Sequence, residues 1–194
     1  AWMLSGIYGF LVRTRILLYH LNWLRSSHPG VPVISAGNLT AGGTGKTPLV
    51  GFLARNALAS GLKPAILSRG YGNRTGTGIQ RIRFCETGFA DAGAFGDEPC
   101  ILARGNPEVP VYVSSSRIDA SRFAIERDQA DLLILDDAFQ HLAIKRDLNL
   151  LLVDALKGFG NGRLIPLGEL REPLSAMERA DAVLVTRSSL GDAD

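Results

Sequence analysis

The run Gly37-Asn38-Leu39-Thr40-Ala41-Gly42-Gly43-Thr44-Gly45-Lys46-Thr47-Pro48 constrains this chain more than any other stretch. It follows the apolar segment Val31-Pro32-Val33-Ile34 and leads into a helical pattern from Leu49 to Ala59. A glycine loop between a buried strand and a helix N-terminus lets backbone N–H groups close around phosphate oxygens. In that setting Lys46 reaches the β- and γ-phosphates of a nucleotide, and the Thr47 hydroxyl offers a ligand to Mg²⁺. Thr40 stands where the strict Gly-x-x-x-x-Gly-Lys-Thr pattern has glycine, but Gly42, Gly43 and Gly45 keep the loop pliable. Pro48 suits a first helical turn, where its missing N–H has no partner to lose. Thr40, Ala41, Gly42, Gly43, Thr44, Gly45, Lys46 and Thr47 are therefore the expected phosphate-binding residues. The alternative is a glycine-rich turn with an incidental lysine.

Downstream, apolar runs alternate with helical patterns. Strands are expected at Pro64–Ser68, Ile79–Cys85, Val109–Val113, Leu132–Leu135, Leu148–Val153 and Ala182–Val185. Helices are expected over Gly96–Ala103 and, capped by Ser114-Ser115-Ser116, to about Gln129. Uniformly apolar strands separated by helices predict an α/β fold whose mostly parallel sheet is covered on both faces. Ligands of such sheets bind outside the carboxyl ends of the strands. Ser68-Arg69, Ser114 to Arg117, Asp136-Asp137, Asp154 and Thr186 all fall there, so one crevice should collect them. Residues 29–194 are read as this core domain, and residues 1–28 as a separate N-terminal segment. Cys85 and Cys100 have neither metal-ligand nor redox spacing, which suits reduced structural thiols.

Charge is segregated along the chain. Ten basic residues and no acidic one precede Glu86; the total of 21 basic residues then leaves 11 after it, against all 19 acids. A front half without carboxylates suits an anionic membrane surface or a polyphosphate. No interleaved aromatic–basic stripe points to nucleic acid. Trp2 to Arg25 is rich in Leu, Ile, Trp and Tyr, but its uncharged stretches are shorter than a membrane-crossing helix needs. Arg13 and Arg15 interrupt any signal-peptide core. Met3, Phe10, Leu17, Leu21 and Leu24 share one helical face. The segment reads as a helix lying in the membrane interface, or packed on the domain, or both.

Leu132-Leu133-Ile134-Leu135-Asp136-Asp137 ends a buried strand in two carboxylates, which together favour a cation between them. Asp136 and Asp137, with Thr47, are the expected metal residues. His141 follows in Asp136-Asp137-Ala138-Phe139-Gln140-His141, as readily structural as functional. Gly96-Asp97-Glu98-Pro99 opens a helix, where Asp97 reads first as an N-cap. Phosphoryl transfer to an alcohol, however, uses a carboxylate to position the hydroxyl and take its proton.

Six blocks in order carry a family resemblance: Gly37 to Pro48, Leu67-Ser68-Arg69-Gly70-Tyr71-Gly72, Gly96 to Pro99, Asp136 to His141, Gly160-Asn161-Gly162-Arg163-Leu164-Ile165-Pro166 and Leu170-Arg171-Glu172-Pro173. Together they closely resemble tetraacyldisaccharide 4'-kinase, the lipid A 4'-kinase family of Gram-negative bacteria. The resemblance implies transfer of the ATP γ-phosphate, with Mg²⁺, to the 4'-hydroxyl of tetraacyldisaccharide 1-phosphate. It implies Asp97 as the base, with Lys46 and Thr47 on nucleotide and metal and Asp136 and Asp137 in the metal site. It also implies Arg69, Tyr71, Arg117, Gln140, His141, Arg171 and Glu172 as contacts to substrate, phosphate or metal shell. The expected location is the cytoplasmic face of the bacterial inner membrane, peripheral or monotopic, on an anionic surface, with no nucleic acid and no protein partner. Ala138 departs from the family's usual glycine, which raises the question of a positive φ there.

The family continues into a small C-terminal subdomain carrying a further histidine, and none of His20, His28 and His141 stands in a matching context. The chain is therefore expected to be a piece of a longer protein. Two other readings stay open: a membrane-associated nucleotide-hydrolysing switch, and a nucleotide-binding module without activity.

Overall fold

In the computed structural model, residues 1–69, 78–84 and 92–188 are described. Seven strands form one sheet in the order β3-β4-β2-β5-β1-β6-β7. They are β1 (Val33–Gly37), β2 (Pro64–Ser68), β3 (Gln80–Ile82), β4 (Val111–Val113), β5 (Leu132–Asp136), β6 (Leu148–Asp154) and β7 (Ala182–Thr186). Every pairing is parallel except that of β3 with β4. The helices are α1 (Trp2–His20), α2 (Lys46–Ala59), α3 (Ala92–Phe95), α4 (Asp97–Gly105) and α5 (Arg117–Asp128), with a 3-10 turn at Leu174–Arg179.

Alternate residues of the central strands pack on opposite faces, as the two-residue period of a strand requires. Ala36, Ile66, Val111, Val113 and Ile134 join Val50, Ala54 and Ala57 of α2 and Leu102 and Ala103 of α4. Val33, Ala65, Leu67, Tyr112, Leu133 and Leu135 join Ala120 and Ala124 of α5. The sheet is thus covered on both sides, as the apolar runs predict.

Strand boundaries differ from the expectation where proline intervenes. The segments expected from Val31 and from Val109 begin two residues later, at Val33 and Val111, just past Pro32 and Pro110. A proline has no N–H to give to the ladder, yet its carbonyl can accept: Leu133 N donates to Pro32 O at 2.9 Å and Ile66 N to Pro110 O at 3.0 Å. The expected strand from Ile79 shortens to Gln80–Ile82, an edge strand, and its expected last residue, Cys85, lies outside the described residues.

α1 is docked on the domain, and it ends at His20, short of the apolar segment's end at Arg25. Its two buried positions are both small, Ser5 and Gly9. Ser5 Oγ donates to Leu164 O at 3.0 Å and Tyr8 OH to Arg171 O at 2.7 Å. A Cβ on Gly9 would meet Leu164 Cδ1 at 2.9 Å, so glycine is what lets the helix approach. Arg163 stacks on the Trp2 ring at 4.4 Å. Met3, Phe10, Leu17, Leu21 and Leu24, together on the expected face, all remain exposed. Among the described residues no helix is long and apolar enough to cross a membrane.

Candidate active site

The strand order brings the chemistry together. β5 lies between β1 and β2, and its register pairs Ala36 with Asp136. The glycine loop after β1 and the two aspartates after β5 therefore open side by side at the carboxyl end of the sheet.

Gly45 caps α2 with φ 81°, a left-handed turn that favours glycine, and Lys46 begins the helix. Lys46 is buried, its Nζ 3.0 Å from Asn38 Oδ1 and 3.4 Å from Asp137 Oδ1. Thr47 is half-buried in the first turn. The end of β7 holds the loop from below: Thr186 Oγ1 donates to Thr44 O at 3.0 Å, and Arg187 Nη2 to Gly43 O at 3.4 Å. Arg187 is itself fixed by Asp154, at 2.8 Å. Thr40 and Ala41 are committed elsewhere. Thr40 O accepts from Asn38 Nδ2 at 2.8 Å, and the Ala41 N–H is given to Glu169 O at 2.7 Å.

Two cavities meet here. The smaller, about 440 Å³, is lined by Gly42, Gly43, Lys46, Asp97, Glu98, Asp137 and Arg171. The larger, about 720 Å³, takes Ser68, Arg69, Ser115, Arg117, Gln140, His141 and Glu172 from the sheet side, and Tyr8, Val12 and Arg15 from α1. Glu98, Asp137 and Arg171 line both. Asp97 is exposed in the smaller cavity, and the N-cap of α4 is Gly96, with no side-chain capping bond. The capping explanation for Asp97 therefore falls away. Tyr71 lies outside the described residues.

Charges are tightly interlocked. Arg171 Nη1 grips both oxygens of Asp137 at 3.0 and 2.8 Å. Burial would raise Asp137, but Lys46 and Arg171 hold it below the usual carboxylate range. Asp136 is buried and accepts from Ser68 Oγ at 3.3 Å. Burial, then Glu98 and Asp137, raise it to about 6. Arg117 is also buried; its Nη2 donates to Asp136 O at 2.9 Å, and its Nε has no hydrogen-bond partner among the described residues. Burial lowers it to about 10, so it keeps its charge at neutral pH. Burial and four surrounding arginines lower His141 to about 4, leaving a neutral imidazole. Glu172 is buried and paired with Arg179, its Oε1 without a partner among the described residues. Gln140 Nε2 donates to Asn38 O at 2.9 Å, joining the two loops.

The positive φ anticipated near Ala138 belongs to Asp137, at 47°. Alanine at 138 therefore carries no strain of that kind, and it is fully buried. Among the described residues no cluster of three His, Cys, Asp or Glu side chains forms a metal site. Asn38 and Glu98 lie in blocks already singled out, yet their roles need the fold to be seen. Tyr8, Val12 and Arg15 could have been found from their i, i+4, i+7 spacing on one helix face.

A family model for tetraacyldisaccharide-1-P 4'-kinase matches residues 1–194. The curated tetraacyldisaccharide 4'-kinase of Syntrophotalea carbinolica is 44% identical over 95% of this chain and 52% of its own length. That of Desulfotalea psychrophila is 45% identical over 95% of this chain and 53% of its length. The chain thus spans about half the length of these relatives. The crystal structure of LpxK from Aquifex aeolicus in complex with ATP aligns with a TM-score of 0.88 and 36% identity, covering 97% of this chain and 58% of that one. With the glycine loop, the paired aspartates and the sheet that joins them already in place, these matches show that the chain belongs to the tetraacyldisaccharide-1-P 4'-kinase family.

Proposed function

We propose that this protein transfers the γ-phosphate of ATP to the 4'-hydroxyl of a tetraacyldisaccharide 1-phosphate, giving lipid IVA. The observation that carries the reading is the pair of adjoining cavities sharing Glu98, Asp137 and Arg171. A nucleotide-hydrolysing switch needs only the smaller one. The larger, lined by Arg15, Arg69, Arg117 and Arg171, suits an acceptor that carries its own phosphate.

ATP occupies the smaller cavity, its phosphates on the loop amides and Lys46. Asp97 orients the acceptor hydroxyl and takes its proton as the new O–P bond forms and the bond to ADP breaks. Lys46 and Arg171 offset charge on the transferring group. Thr47, Asp136 and Asp137 offer the hard oxygen donors that Mg²⁺ takes, and the mutual repulsion of Glu98, Asp136 and Asp137 favours a cation among them. When bound, Mg²⁺ would neutralise phosphate charge. Arg117 fixes the end of β5 through the Asp136 carbonyl while facing the acceptor.

The exposed apolar face of α1 suits peripheral or monotopic attachment to the inner membrane, on the side where ATP is available. Residues 1–28 act as this interfacial element, and residues 29–194 as the nucleotide-binding core.

The test is an assay of the full-length protein with γ-labelled ATP and the lipid disaccharide in mixed micelles. Label is expected on the lipid. Label released only as inorganic phosphate would favour the switch, and ATP binding without turnover the inactive module. Residues 1–194 run in parallel measure how much of the reaction this part supports.

A further inference from the structure

A third cavity lies at the other end of α1, away from the reacting groups. It is an open groove of about 340 Å³ lined by Ile16, Tyr19 and His20 of the helix, Ser26, Leu142, Ile144, Lys145, Arg146 and Arg179. Its walls divide chemically. Ile16, Tyr19, Leu142 and Ile144 make an apolar floor, while Lys145, Arg146 and Arg179 supply three cations, and among the described residues no carboxylate lines it. Beside it Leu17, Leu21 and Trp23 stand exposed.

The two arginines are fixed before any ligand arrives. Arg146 Nη1 donates to the carbonyls of Ala138 and Phe139 at 3.2 and 3.0 Å. Arg179 is paired with Glu172, stacks on the Phe139 ring at 5.0 Å, and keeps a buried Nε without a hydrogen-bond partner. Burial and the nearby Arg179 charge lower Arg146 to about 10, against the pull of Glu172 and Asp181, so it keeps its charge at neutral pH. Preorganised donors over an apolar floor, opening beside a greasy helix, fit an amphiphile better than a free ion.

We propose that this cavity binds the headgroup phosphate of an anionic phospholipid, Lys145, Arg146 and Arg179 holding the phosphodiester and Ile16, Tyr19, Leu142 and Ile144 the start of an acyl chain. The site is separate from the acceptor cavity and rests on the reading of α1 as an interfacial helix. It would fix the rotation of α1 against the bilayer through a specific lipid.

The experiment titrates the full-length protein with short-chain phosphatidylglycerol below its micelle concentration, by calorimetry. One saturable site is expected, weakened about fivefold in Lys145→Gln, an exposed position whose change should not disturb folding. Lys63→Gln, the same charge change before β2, should leave it intact. Equal loss in both variants, or binding without saturation, would reduce the effect to diffuse charge and overturn the site. Displacement by inorganic phosphate at the lipid's own concentration would overturn the lipid assignment. Binding of each variant to phosphatidylcholine vesicles reads the α1 anchor by itself. Loss there with short-chain lipid binding intact would sink the interfacial reading and leave the cavity standing.

Discussion

Asp97 differs from the two aspartates after β5 because nothing described pins it. Asp136 is buried under Ser68, and Asp137 is held by Lys46 and Arg171. Asp97 is exposed in the smaller cavity on the first residue of α4, free of a capping bond. A base must receive a proton, and a carboxylate already saturated by cations is a poor acceptor. Asp97→Asn should therefore lower kcat by about 10²–10⁴-fold, the usual contribution of such a group. ATP affinity, measured by equilibrium binding, should stay within about twofold. A parallel collapse of ATP affinity would reassign Asp97 to nucleotide binding. By residue type and position alone, Asp97 reads as an N-cap. Only the backbone of Gly96, with φ 92°, separates the two.

At the scale of elements, the strand ends decide the site. Four of the seven strands deliver polar groups to one crevice, and their apolar runs were legible because strands buried on both faces leave few polar residues inside. The partners that orient the glycine loop were not legible, since they come from far along the chain: Thr186 lies 142 residues from Thr44. Thr186 and Arg187 turn the Thr44 and Gly43 carbonyls toward β7, which leaves the loop amides for phosphate. Thr186→Val keeps the shape and removes the donor, so KM for ATP should rise about fivefold, one neutral hydrogen bond, with little change in kcat. An unaltered KM would show that the loop holds itself.

The far edge of the sheet depends on a different pair. Asp128, at the end of α5, accepts from Arg81 of β3 at 2.7 and 2.8 Å and from Tyr112 OH of β4. Burial opposes its charge, but these donors hold its carboxyl below the usual range, while burial and then the same contact raise Tyr112. The folded pKa lies below the unfolded one. The contribution is thus fully present above the unfolded value and is lost as pH falls through the folded value. Asp128→Asn should destabilise the protein by about 1.5–3 kcal/mol at neutral pH and by much less under acid, read from urea midpoints at each pH. An equal loss at both pH values would assign the effect to packing.

At the scale of the whole molecule, one helix serves two tasks. α1 presents Met3, Phe10 and Leu17 to solvent and Tyr8, Val12 and Arg15 to the larger cavity. Its inward face is fixed by Ser5, Tyr8 and Gly9 against a segment more than 150 residues away. One apolar face was visible as sequence, among other apolar residues scattered around the helix, but the identity of the surface beneath it was not, because that surface is assembled from the Gly160 to Pro173 blocks only after folding. If the outer face sits in a bilayer, the inner face is held where a lipid headgroup emerges, and anchoring and acceptor binding become one equilibrium. Burying a Phe or Leu side chain is worth about 1.5–3 kcal/mol. Phe10→Asp with Leu17→Asp should then weaken vesicle binding by at least about a hundredfold, measured by co-sedimentation, and raise the apparent KM for lipid in micelles. ATP affinity and the urea midpoint should not move, because both side chains are exposed in the free protein. Vesicle binding that survives the double substitution would place the anchor elsewhere, and the acceptor cavity would then have to draw its lipid from the membrane without the helix that forms its wall.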